Sequence, residues 1–203
     1  MIRAALLLGC VVSVGAAHAE RLDEPEVVNH CSSGKSWSAV ETCLRKLGTP
    51  RVIRTLGTAK VVGVRSDTKP PREHGLILYV ERSGTWNLEG FFPSFHDDFE
   101  LLGLQPVTIG KRRGYRLDVG KAGDVDVDSQ PATIRSQHAL FCSGQGWFCR
   151  EIMTACEVLV RGKTRWSFRG TLEYDKEWVT VTGDRRNAGT LCNAPERIPI
   201  SWH

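Results

Sequence analysis

The densest group of general bases and metal ligands in the 203-residue chain is the segment SFHDDFE, which gathers His96, Asp97, Asp98 and Glu100. A hydrolase could use such groups in two ways: one carboxylate orients the imidazole, or a carboxylate pair divides the acid and base roles. No Gly-x-Ser-x-Gly elbow and no His-Glu-x-x-His motif accompanies the segment. We therefore read it first as a polar loop leading into a strand that begins near Phe99. A hydrolase built on His96 with Asp97 or Asp98 is the alternative.

A second set of candidates is cationic. Lys111, Arg112 and Arg113 fall at one predicted hairpin tip, and Arg161, Lys163 and Arg165 at another, beside Trp166 and Phe168. Cations next to aromatic rings suit an anionic glycan, a lipid head group or a nucleic-acid backbone. The chain carries 27 basic and 23 acidic residues. So even a balance gives no general attraction to polyanions, and no nucleic-acid partner is expected.

Three further patterns read as structural. Gly34-Lys35-Ser36 ends like a phosphate-binding loop, but Asn29 stands where its first glycine is required. Asp124, Asp126 and Asp128 alternate like the start of a calcium loop, but Ser129 and Arg135 replace the glycine and glutamate that such a loop needs. They read as a solvated edge or turn. His138 alternates with Ile134 and Leu140 on one strand face and reads as a hydrogen-bonded core histidine. Neither a metal nor a cofactor is expected.

The cysteines carry more information than these motifs. The opening MIRAALLLGCVVSVGAAHAE has one arginine, a short apolar run and small residues at Ala17 and Ala19. Residues 1–19 therefore read as a signal peptide cleaved before Glu20. Leu7-Leu8-Gly9-Cys10 resembles a lipoprotein box, but cleavage there would leave most of the apolar run behind it. The remaining six cysteines form an even set, which in an exported chain favours three disulfides. Cys142, Cys149 and Cys156 stand seven apart. On a helix such neighbours are roughly 10 Å apart, and on a continuous strand they face opposite sides, so contact needs a turn. Gly144 and Gly146 supply one, pairing Cys142 with Cys149 across a hairpin. Cys156, facing the other way, takes Cys192 in the loop-like tail, and Cys31 is left for Cys43.

The elements that must position these residues are mostly strands. Trp37, Val40, Leu44 and Leu47 make one apolar stripe, which predicts a helix over 38–47 capped by Ser38 and Glu41. Beyond it, short β-branched and aromatic runs recur about every ten residues with turn signals between them. The stretch DFELLGLQPVTIGKRRGYRLDVG has the form of a hairpin, with Lys111 to Gly114 as its connection. The pattern predicts an α+β, mostly β fold: an antiparallel meander sheet of about eight or nine strands, curved or partly closed, with one N-terminal helix packed on it. A polar leader over 20–30 would precede a single disulfide-stabilised domain over 31–203, with no membrane-spanning segment. The function expected is a non-enzymatic, exported or periplasmic binding module. Its partner would be an anionic envelope component or another secreted protein, met through Lys111, Arg112, Arg113, Lys163, Arg165 and Trp166.

Overall fold

The computed structural model describes residues 30–65, 73–93, 99–143 and 149–199. The expected signal peptide and nearly all of the leader lie outside them. Among the described residues, strand β1 (Ser33–Gly34) is followed by helix α1 (Trp37–Leu44). The helix starts one residue earlier than predicted, because Ser36 and not Ser38 is its cap: the Ser36 hydroxyl accepts a hydrogen bond from the Ala39 amide at 3.2 Å. It also ends earlier, at Leu44, with Arg45 to Leu47 continuing as a turn.

Four strands follow: β2 (Thr49–Leu56), β3 (Ala59–Arg65), β4 (Glu73–Arg82) and β5 (Thr85–Pro93). With β1 they form sheet A, ordered β1-β5-β4-β3-β2. Sheet B is a second meander of β6 (Phe99–Ile109), β7 (Arg112–Val127), β8 (Gln130–Cys142), β9 (Arg150–Val160) and β10 (Lys163–Arg169). Sheet C joins β11 (Thr171–Tyr174), β12 (Trp178–Thr182) and β13 (Arg197–Pro199). The pairings are antiparallel throughout. Several hairpins close on two residues with positive φ: Ser83-Gly84 (52° and 75°), Asp128-Ser129 (49° and 61°) and Arg161-Gly162 (52° and 75°). That backbone matches the right-handed twist of the flanking strands.

The antiparallel, mostly β expectation holds at this level, but the single meander does not. The strands divide into three sheets of five, five and three, none of them closed. The reason is burial on both faces. In β4, Leu76, Ile77, Leu78, Tyr79 and Val80 are consecutive and all buried. One helix can cover only one face of sheet A. Val62, Val64, Ile77, Tyr79, Trp86 and Leu88 pack with Val40 and Leu44 of α1. Ala59, Val61, Leu76, Leu78 and Val80 pack instead against Leu101, Leu117, Val119 and Leu140 of sheet B. Sheet C covers part of the far face of sheet B, with Val179 and Val181 against Ala139, Phe141 and Ile152. The layers therefore run helix, sheet A, sheet B, sheet C.

The disulfides form as the strand geometry predicted. Cys31–Cys43, Cys142–Cys149 and Cys156–Cys192 have Cα separations of 5.6, 4.3 and 5.5 Å. The second seats against sheet A, whose Gly90 leaves room for it: a Cβ there would stand 2.6 Å from Cys149 Sγ and 2.7 Å from Cys142 Cβ. No helix among the described residues is long and apolar enough to cross a membrane.

Candidate functional site

Residues paired across an antiparallel sheet share a face, and so do residues two apart on one strand. Following the register from β6 to β10, Glu100, Gly120, Gln137, Ala155 and Arg169 form one row across sheet B. Ala122, Arg135, Glu157 and Ser167 form a second row on the same face. With Leu102, Asp184 and Asn187, and with Lys121 and Ser136 of the row between them, these rows line an open cleft of about 960 Å³. Gly120, Ala122 and Ala155 keep its floor low. The same face is closed further along the strands, where the Phe141 and Tyr174 rings meet edge to face at 6.1 Å and Arg116 donates to the Tyr174 hydroxyl at 3.1 Å. The cleft is thus the stretch of sheet B that sheet C does not reach.

Among the described residues, neither Arg135 nor Arg169 is paired with a carboxylate. Glu157 accepts a hydrogen bond from the Thr164 hydroxyl at 2.8 Å, which leaves it held within the protein. Arginine unpaired on an open face keeps its fork of donors available to an anion.

The opposite face of the same strands carries a polar network. Lys121 and Ser136 are cross-strand partners, and His138 follows Ser136 on the same face. Ser136 Oγ lies 2.8 Å from His138 Nε2. His138 Nδ1 lies 2.7 Å from Glu151 Oε1, close but off the line of the ring N–H. The same oxygen accepts from Lys121 Nζ at 2.5 Å, and that ammonium stands 4.8 Å from the centroid of the Phe92 ring in sheet A. Burial alone would raise the Glu151 carboxyl, but hydrogen bonds from His138 and Lys121 outweigh it and hold the group down to about 2. Glu151 is therefore an anion throughout the ordinary pH range.

A fully buried carboxylate belongs to sheet A. Glu89 is the extra residue of a β5 bulge, is 2 % exposed, and meets Arg82 at 2.9 Å through one oxygen while the other has no partner. Its burial raises the carboxyl despite Arg82. It touches neither the cleft nor the Ser136 network.

The residues singled out in the sequence are scattered by the fold. His96, Asp97 and Asp98 lie outside the described residues, whereas Glu100 does line the cleft. Lys111 is exposed in the two-residue turn Gly110-Lys111, while Arg112 and Arg113 already belong to β7; the predicted connection over Lys111 to Gly114 is shorter than expected. Arg161 and Lys163 sit at the opposite end of sheet B, so the two basic groups are a full strand apart. Arg165 is bound to Asp128 at 2.6 Å and lies over Trp166 at 4.9 Å. Phe168 is buried under the Arg185 guanidinium at 3.9 Å. Asp124 accepts from the Thr133 hydroxyl at 3.3 Å. His138 is buried and hydrogen-bonded as expected, through Nε2 to Ser136 Oγ, while Nδ1 only stands close to Glu151. Comparison with protein-family models, with curated proteins and with solved structures gives no match to this chain.

Proposed function

We propose that the protein is an exported binding module whose ligand seat is the open cleft of sheet B. The observation that carries this is the pair of same-face rows, in which small residues form a floor beside Arg135 and Arg169, which have no carboxylate partner among the described residues. Five strands spaced about 4.8 Å apart make a row nearly 20 Å long. That length suits an extended oligomer better than a single small ion. The ligand class that fits is an anionic polymer of the envelope or extracellular space, with its acidic groups on the two arginines and its neutral groups on Gln137 and Asn187. The apolar leader at residues 1–19 and the three disulfides support export.

Retention on an immobilised polygalacturonate column tests the proposal. Arg135→Ala combined with Arg169→Ala is expected to lower affinity at least tenfold at low salt, with the difference shrinking as salt rises. Lys163→Ala with Arg165→Ala should have a smaller effect, because Asp128 already occupies Arg165. Loss of retention only in the second variant would move the site to the β9–β10 tip and overturn the cleft.

A further inference from the structure

We propose that Ser136 is an activated nucleophile, with His138 as its general base, and that this centre accepts acyl esters. The inference rests on the face of sheet B opposite the cleft and goes beyond the binding role. Three side chains form a line: Ser136 Oγ to His138 Nε2 at 2.8 Å, then His138 Nδ1 to Glu151 Oε1 at 2.7 Å. The spacing satisfies what a hydroxyl nucleophile needs, a base in hydrogen-bond reach and an anion beside the base's other nitrogen.

The order of protons follows from the charges. An anionic carboxylate beside Nδ1 keeps the ring hydrogen on that nitrogen, so Nε2 is left as the acceptor and the Ser136 hydroxyl donates to it. Lys121, directly opposite Ser136 on β7, shares Glu151 and supplies the cation of this row. The group is not sealed: the Lys121 and Glu151 side chains keep 26 % and 32 % of their surface exposed.

The chemistry balances without any further reagent. Ser136 Oγ bonds to the carbonyl carbon of an ester as its proton passes to His138 Nε2. Collapse breaks the ester C–O bond, and the leaving alkoxide takes the proton from Nε2. Water, giving a proton to the same nitrogen, then releases the acid and restores the serine. Glu151 is a positioning residue, acting only through His138.

Incubating the full chain with a fluorophosphonate, followed by peptide mass mapping, tests the proposal. In that reaction Oγ bonds to phosphorus and fluoride leaves with the serine proton. We expect an adduct on Ser136, none at that position in Ser136→Ala, and labelling slowed about 100-fold or more in His138→Gln. Glu151→Gln should label slowly and Glu151→Asp should recover part of the rate. Thermal melts show whether His138→Gln is folded; Ser136→Ala, which removes one oxygen, serves where it is not. Labelling absent from Ser136, or unchanged in folded His138→Gln, overturns the proposal. Labelling is read on Ser136 and retention on Arg135→Ala with Arg169→Ala, so failure of the nucleophile and failure of the cleft are separate results.

Discussion

Removing the Cys156–Cys192 bridge by a double substitution to alanine should cost the most stability of any change that leaves both sheets' interfaces untouched. The bridge joins positions 36 apart in sequence, tying β9 to the tail beyond β12. Loop-closure entropy for a ring of that size gives about 4 kcal/mol at 25 °C. Both cysteines are buried, at 3 % and 0 % exposure, so the alanines also leave a small void and the entropy figure is a floor. For a domain of this length, about 4 kcal/mol corresponds to a melting point roughly 8–16 °C lower. The urea m-value should rise, because the freed unfolded chain exposes more surface. Amide exchange should locate the damage: β11, β12 and β13 lie inside or just beyond the ring and should lose protection before β3 and β4 do. The smaller ring of Cys142–Cys149, separation 7, gives about 2.5 kcal/mol by the same relation. A loss below about 1 kcal/mol for the long bridge, or protection lost first in sheet A, would refute the account.

Two further perturbations test other parts of the fold. Glu151 has its folded value depressed to about 2 from 4.5, so its contribution is fully present above the unfolded value and disappears as pH falls through about 2. Glu151→Gln should therefore lose about 2 kcal/mol at pH 7, allowing for partial exposure, and the gap should close between pH 4.5 and 2. A gap that stays constant in urea titrations down to pH 2 would contradict this. Gly90→Ala drives a methyl into the Cys142–Cys149 bridge, whose two ends are both fixed, and should cost about 1–3 kcal/mol. Gly123→Ala, whose nearest neighbour would be 3.9 Å away, should be close to neutral; equal melting points for the two variants would show that the bridge yields.

The bridges were legible in the sequence because strand geometry leaves few ways for cysteines seven apart to meet. The helix was legible through Val40 and Leu44, although its cap was displaced to Ser36 and its end to Leu44. The division into sheets was missed even though its signal was present: the run Leu76 to Val80 has no polar alternation, which marks a strand covered on both faces. Counting turns locates strands but does not say which ones stack. The cleft was illegible for a different reason. Its rows draw on five strands between Glu100 and Arg169, and the row to which a residue belongs depends on register. A bulge makes this concrete. Gln137 pairs with Ala155 but His138 with Met153, so Thr154 is extra, and Ile152 and Cys156 fall on opposite faces although both are even-numbered.

Strand length explains why both candidate sites lie on sheet B. Strand β7 has 16 residues and β8 has 13, whereas the strands of sheet C have 3 to 5 and β3 has 7. Short sheets cannot cover long strands, so the middle of sheet B is left partly open on each side. Polar residues are tolerated where cover stops, and there the two faces diverge. Gly120, Gln137 and Ala155 make a floor on one, while their immediate neighbours Lys121 and Ser136 join His138 and Glu151 on the other. One sheet thickness separates a surface suited to holding a polymer from a hydroxyl placed against a base. Deletion of Thr154, the extra residue, would remove the bulge yet leave His138 opposite Met153 and Gln137 opposite Ala155, so both properties should survive it. Point substitutions, which leave register alone, should remove them one at a time.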